Sequence, residues 1–212
     1  MLLLILAFSI ILIFFAIIWI LVALQLVNLA LVVFVVFAIV IFLFFLVVVK
    51  EAVDIIYKKQ APYIRSSQNL IDRILNEVDF KKDAQVYELG CGDARFLRSL
   101  VKKYPVKAIG YEYAWPPFLI GKIINAIEGL NVRILRQDLF QADLSQADYV
   151  FCYLLPIEMS RLQKKFEQEL KSGAVVIANS FQIENWQPVK KFVINPKKRA
   201  GLSNRIYVYK MV

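Results

Sequence analysis

The 212-residue chain contains no histidine and only two cysteines, Cys91 and Cys152. Without histidine a Ser-His-Asp triad is excluded. With no histidine and no cysteine cluster, a catalytic zinc ion has no ligand set, so no metal is expected. The two cysteines lie far apart in sequence, as suits a reducing compartment, and Cys91 reads as a small filler in a tight turn. Charge is missing altogether from Met1 to Val49, where only Ser9, Gln25 and Asn28 are clearly polar. As helix this stretch would run about 74 Å, against about 30 Å of bilayer hydrocarbon. It is therefore read as two spans, Leu2–Leu24 and Leu29–Val49, turning at Gln25–Asn28. That turn has neither glycine nor proline, and one long span with an interfacial helix is the alternative. A cleavable signal peptide does not fit, because a basic leading region is missing and the apolar run is too long.

Every charge therefore lies in residues 50–212, with 26 Lys and Arg against 17 Asp and Glu, a net +9. Lys50, Lys58, Lys59 and Arg65 follow the second span. By the positive-inside bias they place the remainder of the chain in the cytoplasm. The basic excess suits anionic headgroups. The cations are scattered rather than clustered, so nucleic acid is not an expected partner. Three segments follow: a transmembrane helical hairpin over 1–49, a juxtamembrane linker over 50–65, and one domain with an adequate core over 66–212.

Glu51–Lys59 is expected to continue the second helix, and Ala61-Pro62-Tyr63-Ile64 to be extended. Ser66 or Ser67 can cap a helix whose apolar positions are Leu70, Ile71, Ile74, Leu75 and Val78. Strands are then expected at Gln85–Leu89, Lys107–Tyr111, Val132–Arg136, Asp148–Leu154 and Ala174–Ser180. Helices over Asp93–Lys103, Phe118–Ile127 and about Pro156–Leu170 alternate with them. Such alternation implies a mostly parallel sheet with helices on both faces. Val189–Ile194 and Arg205–Lys210, joined by the basic turn Asn195–Asn204, form a hairpin that adds an antiparallel edge.

The most informative stretch is Val86-Tyr-Glu-Leu-Gly-Cys-Gly-Asp-Ala-Arg95. A short strand ends in Glu88, Gly90 and Gly92 let the backbone turn tightly against a ligand, and Asp93 opens a helix with unpaired N–H groups. In such a sheet the ligand lies beyond the C-terminal strand ends. Glu112 ends the second strand about 20 residues on, where a carboxylate can accept both ribose hydroxyls. Asp138 follows the third strand and can accept an adenine amino group, with Leu139 offering a backbone N–H and an apolar face. Carboxylates at three successive strand ends suit an adenosine with a cationic tail, which S-adenosylmethionine has and NAD lacks. An NAD fingerprint also needs a third glycine where Arg95 stands, and a P-loop is excluded because no Gly-Lys-Ser/Thr follows. Each residue has a plainer reading: Glu88 as a partner of a helix dipole or of Arg95, the glycines as a simple turn, Glu112 as a solvated strand end, and Asp138 as a helix N-cap.

Glu-Leu-Gly-Cys-Gly-Asp-Ala-Arg resembles motif I of class I S-adenosylmethionine-dependent methyltransferases. Pro62-Tyr63-Ile64, Asn69–Val78, Gly110-Tyr111-Glu112, Asp143–Asp148, Tyr153-Leu-Leu-Pro156, Leu162–Leu170, and Phe181 with Asn185-Trp186-Gln187-Pro188 recur in that order in one branch. That branch holds the archaeal broad-specificity protein-lysine methyltransferases and the membrane-tethered lysine methyltransferases of the ATP synthase c subunit and the adenine nucleotide translocase. The resemblance covers about residues 60–212. It implies a Rossmann-like α/β fold, S-adenosyl-L-methionine as cofactor, and transfer to a lysine amine on a membrane-associated protein, on the matrix side if the protein is mitochondrial. Two positions depart from the family: Ala94 stands where glycine is usual, and Tyr113 where asparagine commonly follows the ribose-binding acid.

Methyl transfer to an amine demands mainly positioning, and a dry pocket lowers the pKa of the amine, so no histidine base is needed. Tyr153, Phe181 and Trp186 are the candidates for an aromatic channel around a lysine stem, with Pro156 shaping the loop above it. Each aromatic reads equally as core. A lipid or quinone headgroup as acceptor, and a degenerate scaffold without activity, are the alternatives.

Overall fold

The computed structural model describes residues 2–24, 27–58, 65–194 and 205–212. The chain divides into two compact units, Met1–Gln60 and Ala61–Val212. The Pro62-Tyr63-Ile64 segment, Gln25 and Leu26 of the first turn, and the basic turn after Ile194 lie outside the described residues.

The first unit holds two helices, α1 (Leu2–Ala23) and α2 (Val27–Lys58). Phe14 stacks on Phe37 with ring centroids 3.7 Å apart. These residues stand at matching distances from the short connection, which makes the pair an antiparallel hairpin. Asn28–Lys50 has the length and composition of a membrane span, while Ser9–Ala23 is a shorter apolar helix. α2 runs unbroken past Lys50 to Lys58, as the continuing helical pattern predicts.

The second unit begins with α3 (Gln68–Glu77), capped by the Ser67 hydroxyl, which accepts the Leu70 N–H. Then come β1 (Gln85–Leu89), α4 (Arg95–Lys103), β2 (Lys107–Glu112), α5 (Trp115–Ile127), β3 (Val132–Arg136), β4 (Tyr149–Cys152), α6 (Pro156–Glu169), β5 (Val175–Asn179), β6 (Lys190–Val193) and β7 (Arg205–Lys210). A single 3-10 turn over Leu139–Gln141 follows β3, capped by Asp138 as its plainer reading allows. α5 starts three residues earlier than Phe118, because Pro116 and Pro117 occupy its first turn, where their missing N–H groups cost nothing.

The seven strands lie in the order β3-β2-β1-β4-β5-β7-β6. β1 to β5 pair in parallel, and β7 pairs antiparallel with both β5 and β6. The hairpin therefore adds the antiparallel edge that its sequence pattern predicts. β7 inserts beside β5, and the short β6 takes the edge. Strand order reverses between β1 and β4, so the crevice for a ligand opens above their C-terminal ends.

The sheet separates two apolar layers. On one face α3 and α4 pack Leu70, Ile71, Ile74, Phe96, Leu97 and Leu100 against Val86, Phe151 and Ile177. On the other, Met159, Leu162 and Phe166 of α6 pack against Leu89, Val150 and Val176. Alternation along each strand assigns residues to faces. Glu88, paired with Gly110 and Phe151, falls on the α3–α4 side.

Candidate active site

Glu88 sits at the end of β1, 6 % exposed, and its Oε2 atom is buried without a hydrogen-bond partner. Burial pushes the carboxyl well above its ordinary 4.5, and the Asp93 and Glu112 carboxylates push it further, with Arg98 opposing. A neighbouring cation would offset both the burial and the repulsion.

The turn after β1 is left-handed at alternate residues: φ is +71° at Gly90, +54° at Gly92 and +56° at Ala94. Only the third position carries a Cβ. Ala94 thus holds a conformation that costs an L-residue about 1–2 kcal/mol, as its replacement of glycine implies. The Gly90 and Cys91 N–H groups donate to the Tyr111 carbonyl at 2.9 and 3.0 Å, which lays the turn across the end of β2. A Cβ on Gly90 would stand 3.1 Å from Leu154, so the turn is also close under the loop after β4.

Glu112 joins this turn to α5. One carboxylate oxygen accepts the Gly92 N–H at 2.8 Å and the other accepts the Ala114 N–H at 2.7 Å. Asp93, nearly fully buried, is bound by neighbours. Its Oδ1 accepts the Arg95 N–H at 3.2 Å, its Oδ2 lies 2.9 Å from Arg65 Nη2, and its backbone carbonyl accepts from Arg98. Asp138 is an N-cap: its Oδ1 accepts the Phe140 N–H at 2.9 Å, and Leu139 opens the 3-10 turn. Glu88, Asp93 and Glu112 are therefore gathered around one turn, and Asp138 with Leu139 stands two strands over, at the end of β3.

The four acceptor-side residues are not gathered in the same way. Tyr153 packs with the α3–α4 layer, whereas Phe181 and Trp186 pack with the α6 layer. Trp186 donates its indole N–H to Glu167 at 3.0 Å and lies against Phe166 and Tyr209. Glu167 is near the end of α6, whereas Pro156 begins it, which is about 16 Å along the axis. Trp186 is thus a half-buried residue held toward the far end of α6, and Pro156 stands at the crevice edge.

Several supporting residues escaped sequence reasoning. Arg98, buried on α4, faces Asp93 and Glu128. Arg136 lies over Trp115 at 4.3 Å and over Tyr113 at 5.6 Å, so the tyrosine that departs from the family joins a cation–aromatic stack beside Glu112. Gly121 is the one that sequence could have shown. A glycine inside a helix costs about 1 kcal/mol against alanine and signals close packing. A Cβ there would lie 3.0 Å from the Asp93 carbonyl oxygen.

Comparison with known proteins gives the geometry its context. Residues 88–190 match the family model described as ANTKMT methyltransferase domain. A protein-lysine N-methyltransferase of Saccharolobus islandicus is 31 % identical over 157 residues, covering 72 % of this chain and 95 % of that protein. The chain belongs to this methyltransferase family. The mouse adenine nucleotide translocase lysine N-methyltransferase is 28 % identical over 61 % of this chain, spanning 57 % of its own length. In fold, the chain is similar to an RNA methyltransferase from Salinibacter ruber in complex with S-adenosyl-L-homocysteine, with a TM-score of 0.63 and 23 % identity, over 70 % of this chain and 94 % of that one.

S-adenosyl-L-methionine is the cofactor, and the residues present fit it. The orphaned Glu88 oxygen would receive the ammonium of its methionine end. Gly90 and Gly92 leave the approach free of Cβ atoms. Glu112 would meet the ribose hydroxyls, and Asp138 with Leu139 the adenine. When bound, the cofactor supplies an electrophilic methyl group on a sulfonium.

Proposed function

We propose that this methyltransferase is anchored in a bilayer by its N-terminal helices and methylates the ε-amine of lysine on membrane-associated proteins. The Glu88 carboxylate carries the cofactor half of this reading, since its buried, unpartnered oxygen demands a cation. The lysine half is supported by identity along almost the whole length of an archaeal protein-lysine N-methyltransferase. Relatives are named for lysines on the adenine nucleotide translocase and on the ATP synthase c subunit, and anchoring would concentrate the site near such targets.

The chain's own residues need to do little chemistry. Glu88 and Glu112 hold the cofactor's charged and hydroxylated ends. Tyr153 and Pro156, at the C-terminal edge of β4, border the place where an amine would enter. A shielded setting there favours the neutral amine, which alone is nucleophilic. The hairpin α1–α2 supports the membrane assignment, and the cations Lys50, Lys58, Lys59 and Arg65 favour the cytoplasmic or matrix side for the catalytic unit.

The test is radiolabelled methyl transfer from S-adenosylmethionine to membrane extract, resolved into protein and lipid fractions. Label in lysine after protein hydrolysis is the expected outcome. Label confined to lipid would overturn the lysine assignment, and no label with intact cofactor binding would leave a scaffold.

A further inference from the structure

α5 is apolar at all but two of its positions, Lys122 and Asn125. Its inner side places Pro117 and Gly121 against the motif I turn and β3. Its outer side is formed by Trp115, Pro116, Leu119, Lys122, Ile123, Ala126 and Ile127, the spacing of one helical face. Lys122 is its one charged member. Trp115 is 39 % exposed, Leu119 46 %, Ile123 58 % and Ile127 79 %. The other long helices of this unit do not do this: α4 and α6 turn charged residues such as Lys102, Lys103, Lys164 and Glu167 outward. A solvated helix gains nothing from a bare stripe of this kind, and contiguous exposed apolar surface marks an interaction site.

We propose that the outer face of α5 lies on the bilayer surface and sets the tilt of the active-site edge toward it. The inference rests on the anchored reading above. Three observations select lipid as the occupant. The stripe carries a tryptophan at one end, which is the residue favoured at the headgroup level. Two cations accompany it, the exposed Lys122 within the stripe and Arg136 stacked on Trp115, while the acid at its C-terminal end, Glu128, is paired with Lys102. A cationic, aromatic-ended apolar face is the composition of a helix lying in the interface plane. Finally, only the 15 residues 50–64 separate the uncharged N-terminal segment from Arg65, so an anchored chain confines this unit to the neighbourhood of the membrane. α5 starts directly after Glu112 and Ala114. Its contact with lipid would therefore hold the crevice at a constant height over the membrane, where a lysine near a membrane protein's surface could enter.

The experiment uses the full chain in nanodiscs of mixed zwitterionic and anionic phospholipid, one protein per disc. Trp19→Phe and Trp186→Phe leave Trp115 as the only tryptophan. Its emission should be blue-shifted and should fall when the acyl chains are brominated. The added pair Ile123→Glu and Ile127→Glu should abolish that quenching while S-adenosylhomocysteine binding by calorimetry stays unchanged. Quenching that is absent from the parent protein, or survives the double glutamate change, overturns the inference. A blue shift without dependence on bromine would come from packing within the chain against Phe118 and Arg136, and overturns it too. Alkaline carbonate washing of membranes reads the anchor separately: a chain released by the wash defeats the anchored reading itself, whereas a retained chain with unquenched Trp115 defeats only the role of α5.

Discussion

Glu112 accepts the Gly92 N–H across a gap of 2.8 Å, and so ties the end of β2 to the second glycine of the motif I turn. Its other oxygen holds the Ala114 N–H, so one carboxylate positions both the turn and the start of α5. Replacing it with glutamine leaves one acceptor for two N–H groups. Glu112→Gln should lower stability by about 1 kcal/mol, the worth of one such bond. The glutamine should also weaken S-adenosylhomocysteine binding about tenfold, since a bond to a charged group contributes about 1.5–3 kcal/mol. Calorimetry and thermal melts together check this, and unchanged affinity would remove Glu112 from the site.

Glu88 should behave in the opposite sense for stability. Its carboxyl is raised well above 4.5 when folded, so the folded chain retains a proton that the unfolded chain has released. That contribution is fully present below pH 4.5 and is lost as pH rises through the folded value. The cofactor-free protein should therefore decline in stability as pH increases above 4.5, and Glu88→Gln should flatten the decline. At neutral pH the variant should melt higher than the parent yet bind S-adenosylhomocysteine at least about tenfold more weakly. At a pH below that folded value, binding to the parent should release a proton, visible as a heat that varies with buffer ionisation.

Gly110 has a steric rather than conformational reason for being glycine. A Cβ there would meet Cys91 Sγ at 2.6 Å and Leu97 Cδ1 at 3.0 Å. Gly110→Ala should cost about 1–3 kcal/mol through overpacking. Adding Cys91→Ala removes the sulfur and should restore part of the loss, so a double-mutant cycle of melting temperatures should show coupling between the two positions. Additive losses would place the strain elsewhere.

Ala94 tests a balance. Glycine would relieve about 1–2 kcal/mol of left-handed strain, but removes a buried methyl worth about 0.8 kcal/mol and adds about 0.5–1 kcal/mol of chain entropy. Ala94→Gly should therefore change stability little, whereas Ala94→Val, branched at Cβ, should lose clearly more. Guanidinium titrations would decide, and a large gain from glycine would mean that the methyl contributes little.

Much of this was legible in one dimension. The uncharged first 49 residues, the alternation of strand and helix patterns, and the Glu-Leu-Gly-Cys-Gly-Asp run determine by themselves an apolar hairpin, a mostly parallel sheet and the left-handed turn after its first strand. Periodicity and backbone sterics act locally, and a local pattern records them. Ser67 could be read as a cap for the same reason.

What only the tertiary structure decided are relations between distant residues. Asp93 is held by Arg65 and Arg98, Gly121 lies against its carbonyl, and Trp186 is drawn to Glu167, away from the crevice edge where its aromatic character had suggested a channel. Within the C-terminal hairpin it is β7, not β6, that lies beside β5. α5 kept an apolar outer face that its sequence shows only as hydrophobicity without direction. Which side of a helix is covered, and which carboxylate oxygen has no partner, depends on what the rest of the chain brings beside it. No spacing along the sequence contains that.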